Sequence, residues 1–351
     1  PAADNSAMDG YALSTRDLVH GQGALPLSAR IRAGDAPAPL TAGTAARIFT
    51  GGEIPAGADA VVMQENCEEH DGKVQIKTPV RSGQNIRCAG EDFRQGDEIL
   101  RAGSRLRPQD LGLLAAAGID RADVVRRPIV AVLSTGDELI PPGQARRPGQ
   151  TYDSNGPLLR GLVAQTGCTV LPLFQVPDTP DRTRQALIES AANADLVISS
   201  GGVSVGESDH VRKALEAIGQ LKLWRISVKP GKPLAFGVIK DTPFIGLPGN
   251  PVAVFVTFCL FAAPLIRKLQ GRHEWMPEPH SVAAAFASPG SSREEYLRVR
   301  VEHGHLLPYP HQGSGVLSSV VWADGLARIH AGQVVAEGSM LDFFHFDALL
   351  Q

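Results

Sequence analysis

The chain has 351 residues, enough for two or more domains with cores of their own. Its hydrophobic fraction of 43% and charged fraction of 20% exclude a disordered or low-complexity chain. A formal net charge of −3 gives nucleic-acid binding no global support, so an anionic substrate must be met by local basic residues.

The first hundred residues are rich in Gly, Pro and short alternating runs. Ala46–Phe49, Ala60–Met63 and Lys73–Lys77 read as short strands between turns. Pro108–Gly118 reads as a helix: Pro108 suits its first turn, Asp110 complements its dipole, and Gly118 suits the stop. From Pro128 the pattern changes. Ile129–Ser134 is a continuous apolar run ending in Thr135-Gly136, as expected of a strand buried on both faces of a parallel sheet. A helix over Asn155–Thr166, a strand over Val170–Phe174, a helix over Thr179–Ala194, a strand over Leu196–Ser200 and a helix over His210–Ile218 follow. Strands over Leu234–Ile239 and Phe244–Leu247 precede an apolar helix, Pro251–Leu269. The alternation predicts a doubly wound α/β domain, whose ligands gather at the carboxyl ends of strands. After Gly271, the runs His280–Ala287, Tyr296–His303, Leu326–His330 and Gly332–Leu341 predict a small C-terminal β domain.

Cys67, Cys88, Cys168 and Cys259 are scattered and form no CxxC pair, which argues against a zinc site or a disulfide framework and for a reducing, cytoplasmic setting. The longest uncharged apolar run, Val252 to Ile266, is broken by Pro264 and falls short of the ~20 residues of a membrane span, so no membrane association is expected. The chain opens at Pro1 inside what reads as a motif, which implies a preceding segment.

Four strand ends of the α/β region carry Gly-rich or acidic turns: Ser134–Leu139, Tyr152–Asn155, Ser199–Asp209 and Leu247–Pro251. Between the last two lies Lys229-Pro-Gly-Lys-Pro233. Turns such as Gly201-Gly202-Val203-Ser204 expose backbone N–H groups that can hold phosphate oxygens. Lys229 and Lys232, stiffened by prolines, present positive charge at little entropic cost. Asp137, Glu138 and Asp209 offer the hard oxygens that Mg²⁺ prefers. Each turn alone is more often only a turn, and Asp137 and Glu207 read as caps or surface residues. What favours a site is that one α/β crevice would gather all four. No Walker A loop, no GxGxxG opening a helix, no HExxH and no nucleophile elbow occurs, so ordinary NTPase, dinucleotide, zincin and covalent readings lose support.

Asp4-Asn-Ser-Ala-Met-Asp-Gly-Tyr-Ala12, Thr50–Glu65, Ser82–Arg87 and Gly90-Glu91-Asp92 resemble signatures of the MoeA family, the molybdopterin molybdenumtransferases, which includes the gephyrin E domain. The α/β turns resemble the same family in order and spacing, so the resemblance covers essentially the whole chain. It implies a multidomain α/β fold, with a MogA-like doubly wound domain flanked by smaller β-rich domains. The divisions it implies are 1–19 with 94–126 as a linker and helical domain, 20–93 as a small β-rich domain, 127–276 as the α/β molybdopterin-binding domain and 277–351 as a C-terminal β domain. It also implies a homodimer, with the α/β domain of one subunit facing the first β region of the other.

The activity implied is insertion of molybdate into adenylylated molybdopterin with release of AMP, dependent on Mg²⁺, with the molybdopterin adenylyltransferase as a candidate partner. By position, Asp9, Thr50, Arg87 and Asp92 match functional residues of the first region. Glu138, Asp178, Asp209, Lys229, Pro248 and Pro251 match those of the α/β domain, and Arg298 and Ser314 match anion-site positions in the C-terminal region. Within this reading Asp9, Thr50, Asp92, Glu138 and Asp209 are catalytic, and Glu138 and Asp209 hold metal. Arg87, Asp178, Gly201, Gly202, Ser204, Lys229, Lys232, Pro248, Pro251, Arg298 and Ser314 bind substrate. The match is looser around Ser292 and Tyr296, where the family often has Gly and Phe, and Arg225 stands where relatives can carry Lys. Two rivals remain: an adenylyltransferase, which needs only the α/β domain, and a non-catalytic scaffold, which could dispense with the carboxylates present here.

Overall fold

The computed structural model describes residues 1–19, 22–171, 174–177, 179–202, 210–224 and 226–351. The expected positions Asp178, Ser204, Asp209 and Arg225 lie outside these residues. The chain divides into two compact units, Pro1–Arg101 and Ala102–Gln351.

In the first unit, short strands build a six-stranded sheet in the order Ala60–Met63, Gly10–Leu13, Ala45–Ile48, Gly23–Ile31, Lys73–Ile76, Cys67–His70. Gly10 sits in register with Ile48 on one side and Met63 on the other. A Cβ there would stand 1.9 Å from the Val62 carbonyl oxygen, so this close approach admits only glycine. Leu13, Ile48, Val62 and Ile76 are buried and close the core. The strand Gly23–Ile31 was not anticipated: its Gly, Pro26 and a register shift between Leu27 and Ala29 hide the alternation.

The second unit opens with the helix Pro108–Ala116. It is capped as expected: the Arg107 backbone N–H donates to Asp110 at 2.8 Å, and Gly118 turns at φ +76°. The helices Asn155–Gln165, Pro180–Asn193, His210–Ile218 and Pro251–Thr257 pack against a seven-stranded sheet. Six strands run in the order Thr169–Val170, Ile129–Thr135, Leu196–Ser200, Thr242–Leu247, Ala235–Ile239, Gly219–Trp224, and the seventh, Phe174–Val176, also pairs with Ile129–Thr135. Ile129–Thr135 is parallel to both its neighbours, and the last two strands run antiparallel. Val130, Val132, Leu196 and Ile198 face one core while Ala131, Leu133 and Val197 face another. Burial on both faces explains the unbroken apolar run. The strand expected over Val170–Phe174 is two short pairings on the same side of Ile129–Thr135, at Thr169–Val170 and Phe174–Val176. The strand Gly219–Trp224 was not anticipated.

The stretch Pro251–Leu269 is apolar and long enough to cross a membrane, but 78% of it is buried within this unit. Its helix is interrupted by a π turn over Phe258–Ala262, just before Pro264 removes a backbone donor. The C-terminal strands His280–Ala284, Glu294–Glu302, His305–Pro308, Gly325–Ile329 and Met340–His345 form a closed ring, because Glu294–Glu302 pairs with both His305–Pro308 and Gly325–Ile329. Val228–Lys229, from the α/β region, adds to it in parallel beside Glu294–Glu295. The strand expected over Gly332–Leu341 is instead a turn around Gly332 and Gly338, and the strand begins at Met340. All four cysteines are free.

Candidate active site

In the first unit, Asp9 ends the turn that leads into the central strand. The Thr50 backbone N–H and the Thr50 hydroxyl both donate to Asp9 Oδ1 at 2.8 Å. These bonds, with the Arg47 charge, hold the Asp9 carboxyl below the usual carboxylate range although it is fully exposed. The same loop is tied at its base by Gly51 N–H to the Ser6 carbonyl and by Ser6 N–H to the Gly52 carbonyl. Arg87 is exposed and lies in register with Asn5, in a two-residue antiparallel pair. Asp92 stands on an exposed loop and shares no hydrogen bond or ion pair with Asp9, Thr50 or Arg87. The structure therefore brings Asp9 and Thr50 together and leaves Asp92 apart from them.

In the second unit, the carboxyl ends of two parallel strands meet. Gly201 and Gly202 follow Leu196–Ser200 with φ of +88° and +66°. A Cβ on Gly201 would lie 2.8 Å from the Thr135 carbonyl oxygen, and one on Gly202 would lie 2.4 Å from Val211 Cγ2. The Glu138 carboxylate is folded back against Gly136, where a Cβ would stand 2.7 Å from Oε2. The hydroxyls of Ser134, Thr135 and Ser199 are buried without a hydrogen-bond partner. Thr135 Oγ1, 3.2 Å and 3.1 Å from where Cβ atoms on Gly201 and Gly202 would stand, is an orphaned donor beside bare backbone that a polar ligand would complete. Asn155 bridges this cradle to the next turn: its amide donates to Ser200 Oγ at 2.9 Å and to the Gly249 carbonyl at 2.7 Å. Asn155 lies in the strand-end turn Tyr152–Asn155, but its bridging role depends on tertiary packing.

The turn Pro248–Pro251 joins that cradle to a cationic neighbourhood. Pro251 opens its helix, the Val252 N–H donates to the Ser314 carbonyl at 3.0 Å, and Asn250 Nδ2 donates to Ser314 Oγ at 3.1 Å. Gly231 packs over the same turn, where a Cβ would lie 3.9 Å from Pro248 Cγ. Lys229 pairs with Glu295 at 2.7 Å, while Lys232 is exposed. Three residues along that strand, Arg298 is 1% exposed. It donates to Ser319 Oγ at 3.2 Å and to the carbonyls of Tyr296 at 3.3 Å and Gly313 at 3.4 Å. Burial pulls its pKa down to about 10, against the pull of Glu295. Among the described residues Arg298 has no carboxylate partner, and a buried cation in that state is stabilised by a bound oxyanion. Among the described residues no group of three or more His, Cys, Asp or Glu could hold a metal.

Residues 1–118 match the MoeA N-terminal region, domains I and II; 131–268 match a probable molybdopterin binding domain; and 282–346 match the MoeA C-terminal region, domain IV. The molybdopterin molybdenumtransferase of Haemophilus influenzae is 44% identical over 287 residues, covering 81% of this chain and 71% of that protein. The Nostoc protein of the same name is 37% identical over 99% of this chain and 78% of its own length. A molybdopterin biosynthesis MoeA protein from Pyrococcus horikoshii superposes with a TM-score of 0.83 at 28% identity, covering 97% of this chain and 87% of that one. With three consecutive family regions matched and a 44% identical relative covered over most of its length, the chain belongs to the MoeA family.

Proposed function

We propose that this chain is a molybdopterin molybdenumtransferase of molybdenum cofactor biosynthesis, taking adenylylated molybdopterin and molybdate to the loaded cofactor and AMP. The observation that carries the reading is the turn Pro248–Pro251, where a glycine-lined cradle with the orphaned Thr135 hydroxyl adjoins Arg298, which is buried and has no ion-pair partner among the described residues. Metal insertion needs two ligands side by side, an organic phosphate ester and an oxyanion. An adenylyltransferase would need only the first.

In this reading the Gly201 and Gly202 backbone and the Thr135 hydroxyl bind and orient the adenylylated pterin. Lys229, Arg298 and Ser314 receive molybdate, with Lys232 as a further cationic contact, and Arg87 keeps the substrate-binding role given by position. Burial of Arg298 strips water from the oxyanion and strengthens each donor. Asp9, kept ionised by Thr50, offers the first unit's negative charge to the site, and Asp92 keeps the role given by position. Asp178, Ser204 and Asp209 keep the roles given by position.

Glu138 would hold Mg²⁺, with Asp209 as the second carboxylate. The fit is reasonable: Mg²⁺ takes one or two carboxylates and fills its remaining positions with water and substrate phosphate, so it needs no three-residue cage. When bound, the ion supplies Lewis-acid polarisation of the phosphoanhydride. Homodimerisation, a cytoplasmic setting and contact with the adenylyltransferase belong to the same reading; the four free cysteines support the setting.

The test is reconstitution from purified adenylylated molybdopterin, molybdate and Mg²⁺, following AMP release. Asp9→Ala and Glu138→Ala should keep wild-type circular dichroism and lose activity by about a hundredfold or more. Wild-type rates in both variants, or AMP release that ignores molybdate, would overturn the reading.

A further inference from the structure

We propose that Arg47, on the strand beside Asp9, is a positioning residue that fixes the Asp9–Gly10 backbone and so aims the Asp9 carboxylate. The inference rests on the reading of Asp9 given above. Arg47 lies directly opposite Tyr11 in the antiparallel ladder. One guanidinium nitrogen donates to the Gly10 carbonyl at 3.2 Å, and another donates to Gln64 Oε1 at 2.5 Å. The Gln64 backbone N–H in turn donates to the Asp9 carbonyl at 3.1 Å. Arg47 thus closes a ring of bonds around the Asp9–Gly10 peptide.

The guanidinium is itself held by two aromatic rings. Its carbon lies 4.9 Å from the Tyr11 ring centroid and 5.0 Å from that of Phe49, within cation–π range of both rings. Arg30 stacks on Phe49 at 5.1 Å, and Tyr11 donates to Glu69 at 2.8 Å. With Glu65 beside Gln64, these are the other charged groups around it. No carboxylate forms an ion pair with Arg47 among the described residues, and its charge adds to the two Thr50 bonds as a smaller influence lowering the Asp9 pKa. A lysine keeps the charge but not the planar guanidinium whose separate nitrogens reach the two acceptors.

The experiment uses the full chain with carbon-13 carboxyl-labelled aspartate, in wild type, Arg47→Met, Arg47→Lys and Gln64→Ala. NMR titration of Asp9 is read beside kcat and KM for molybdate-dependent AMP release. In Arg47→Met the Asp9 midpoint should rise and kcat fall about tenfold to a hundredfold with KM near wild type, as expected for a misaimed group. Arg47→Lys should restore most of the midpoint but only part of kcat, and Gln64→Ala should lower kcat while leaving the midpoint close to wild type. An unshifted Asp9 midpoint in Arg47→Met together with a wild-type kcat in Gln64→Ala overturns the proposal. Shifted midpoints with unchanged kcat throughout leave Arg47 holding Asp9 and instead overturn the catalytic reading of Asp9.

Discussion

Two glycines set how closely a ligand can approach the strand ends. Gly201 combines φ of +88° with a Thr135 carbonyl 2.8 Å from where its Cβ would be, so a methyl group there is strained and also fills the cradle. Gly201→Ala should weaken binding of adenylylated molybdopterin at least tenfold while the far-ultraviolet spectrum stays unchanged, as judged by fluorescence titration. Undiminished affinity would remove this turn from the site. Asp195 shows a different use of a carboxylate. It accepts from both Arg126 guanidinium ends and from the Ile129 N–H at 2.7 Å, which anchors the entry of the central strand. The Arg126 hydrogen bonds, the Ile129 N–H and the Arg126 charge hold its pKa below the ordinary value against partial burial. A depressed folded pKa means the stabilisation is present above the unfolded pKa near 4 and is lost as pH falls through the lower folded value. Asp195→Asn should therefore cost on the order of 1 kcal/mol at pH 7, and thermal melts of the two proteins should converge as pH drops below about 4. A gap that persists at pH 2.5 would mean the loss is steric rather than electrostatic. At this scale the sequence named Asp9, Thr50 and Glu138 through motifs, but Arg47 lies outside every motif, and Gln64, Asn155 and Asn250 lie inside motifs that gave them no role. Their importance lies in which carbonyl or hydroxyl they reach after folding.

Elements were legible in proportion to how simply their surroundings repeat along the chain. Ile129–Thr135 and Leu196–Ser200 are buried on both faces, so a plain apolar run reports them. The helices Pro108–Ala116 and Pro251–Thr257 begin with proline, and the first is closed by a glycine, both local signals. Gly23–Ile31 has one half-exposed face, a proline and a register shift, so nothing local marks its nine residues. The expected strand over Gly332–Leu341 failed for the opposite reason: its alternating residues sit on a turn with two left-handed glycines. Double-sided burial also makes the central strand intolerant of voids. Leu133 is 1% exposed, and Leu133→Ala should cost about 2–5 kcal/mol of stability by chemical denaturation. A cost under about 1 kcal/mol would show that the neighbouring helices can collapse into the space.

At the scale of the second unit, the α/β layer and the C-terminal ring are fastened together where the substrates are proposed to meet. Lys229 comes from the α/β region but pairs with Glu295 of the ring, and Ser314 of the ring accepts from Asn250 and Val252 at the helix start. Molybdate bound among Lys229, Arg298 and Ser314 would touch both parts, so it should stabilise their joint unfolding. At a concentration 100 times its Kd, a ligand that binds only the folded state adds about 2.7 kcal/mol. A unit of this size gains roughly 2–4 °C in Tm per kcal/mol, so calorimetry should resolve the rise easily. Arg298→Ala and Lys229→Ala each change the starting stability, Arg298→Ala more because it empties a buried position. The informative quantity is therefore the increment that molybdate adds to each variant. It should fall by more than half in both variants, and sulfate at equal ionic strength should add less to the wild type than molybdate does. Equal increments from molybdate and sulfate, or an undiminished increment in both variants, would mean that the oxyanion binds elsewhere and that the contacts at Ser314 serve only to join the two parts.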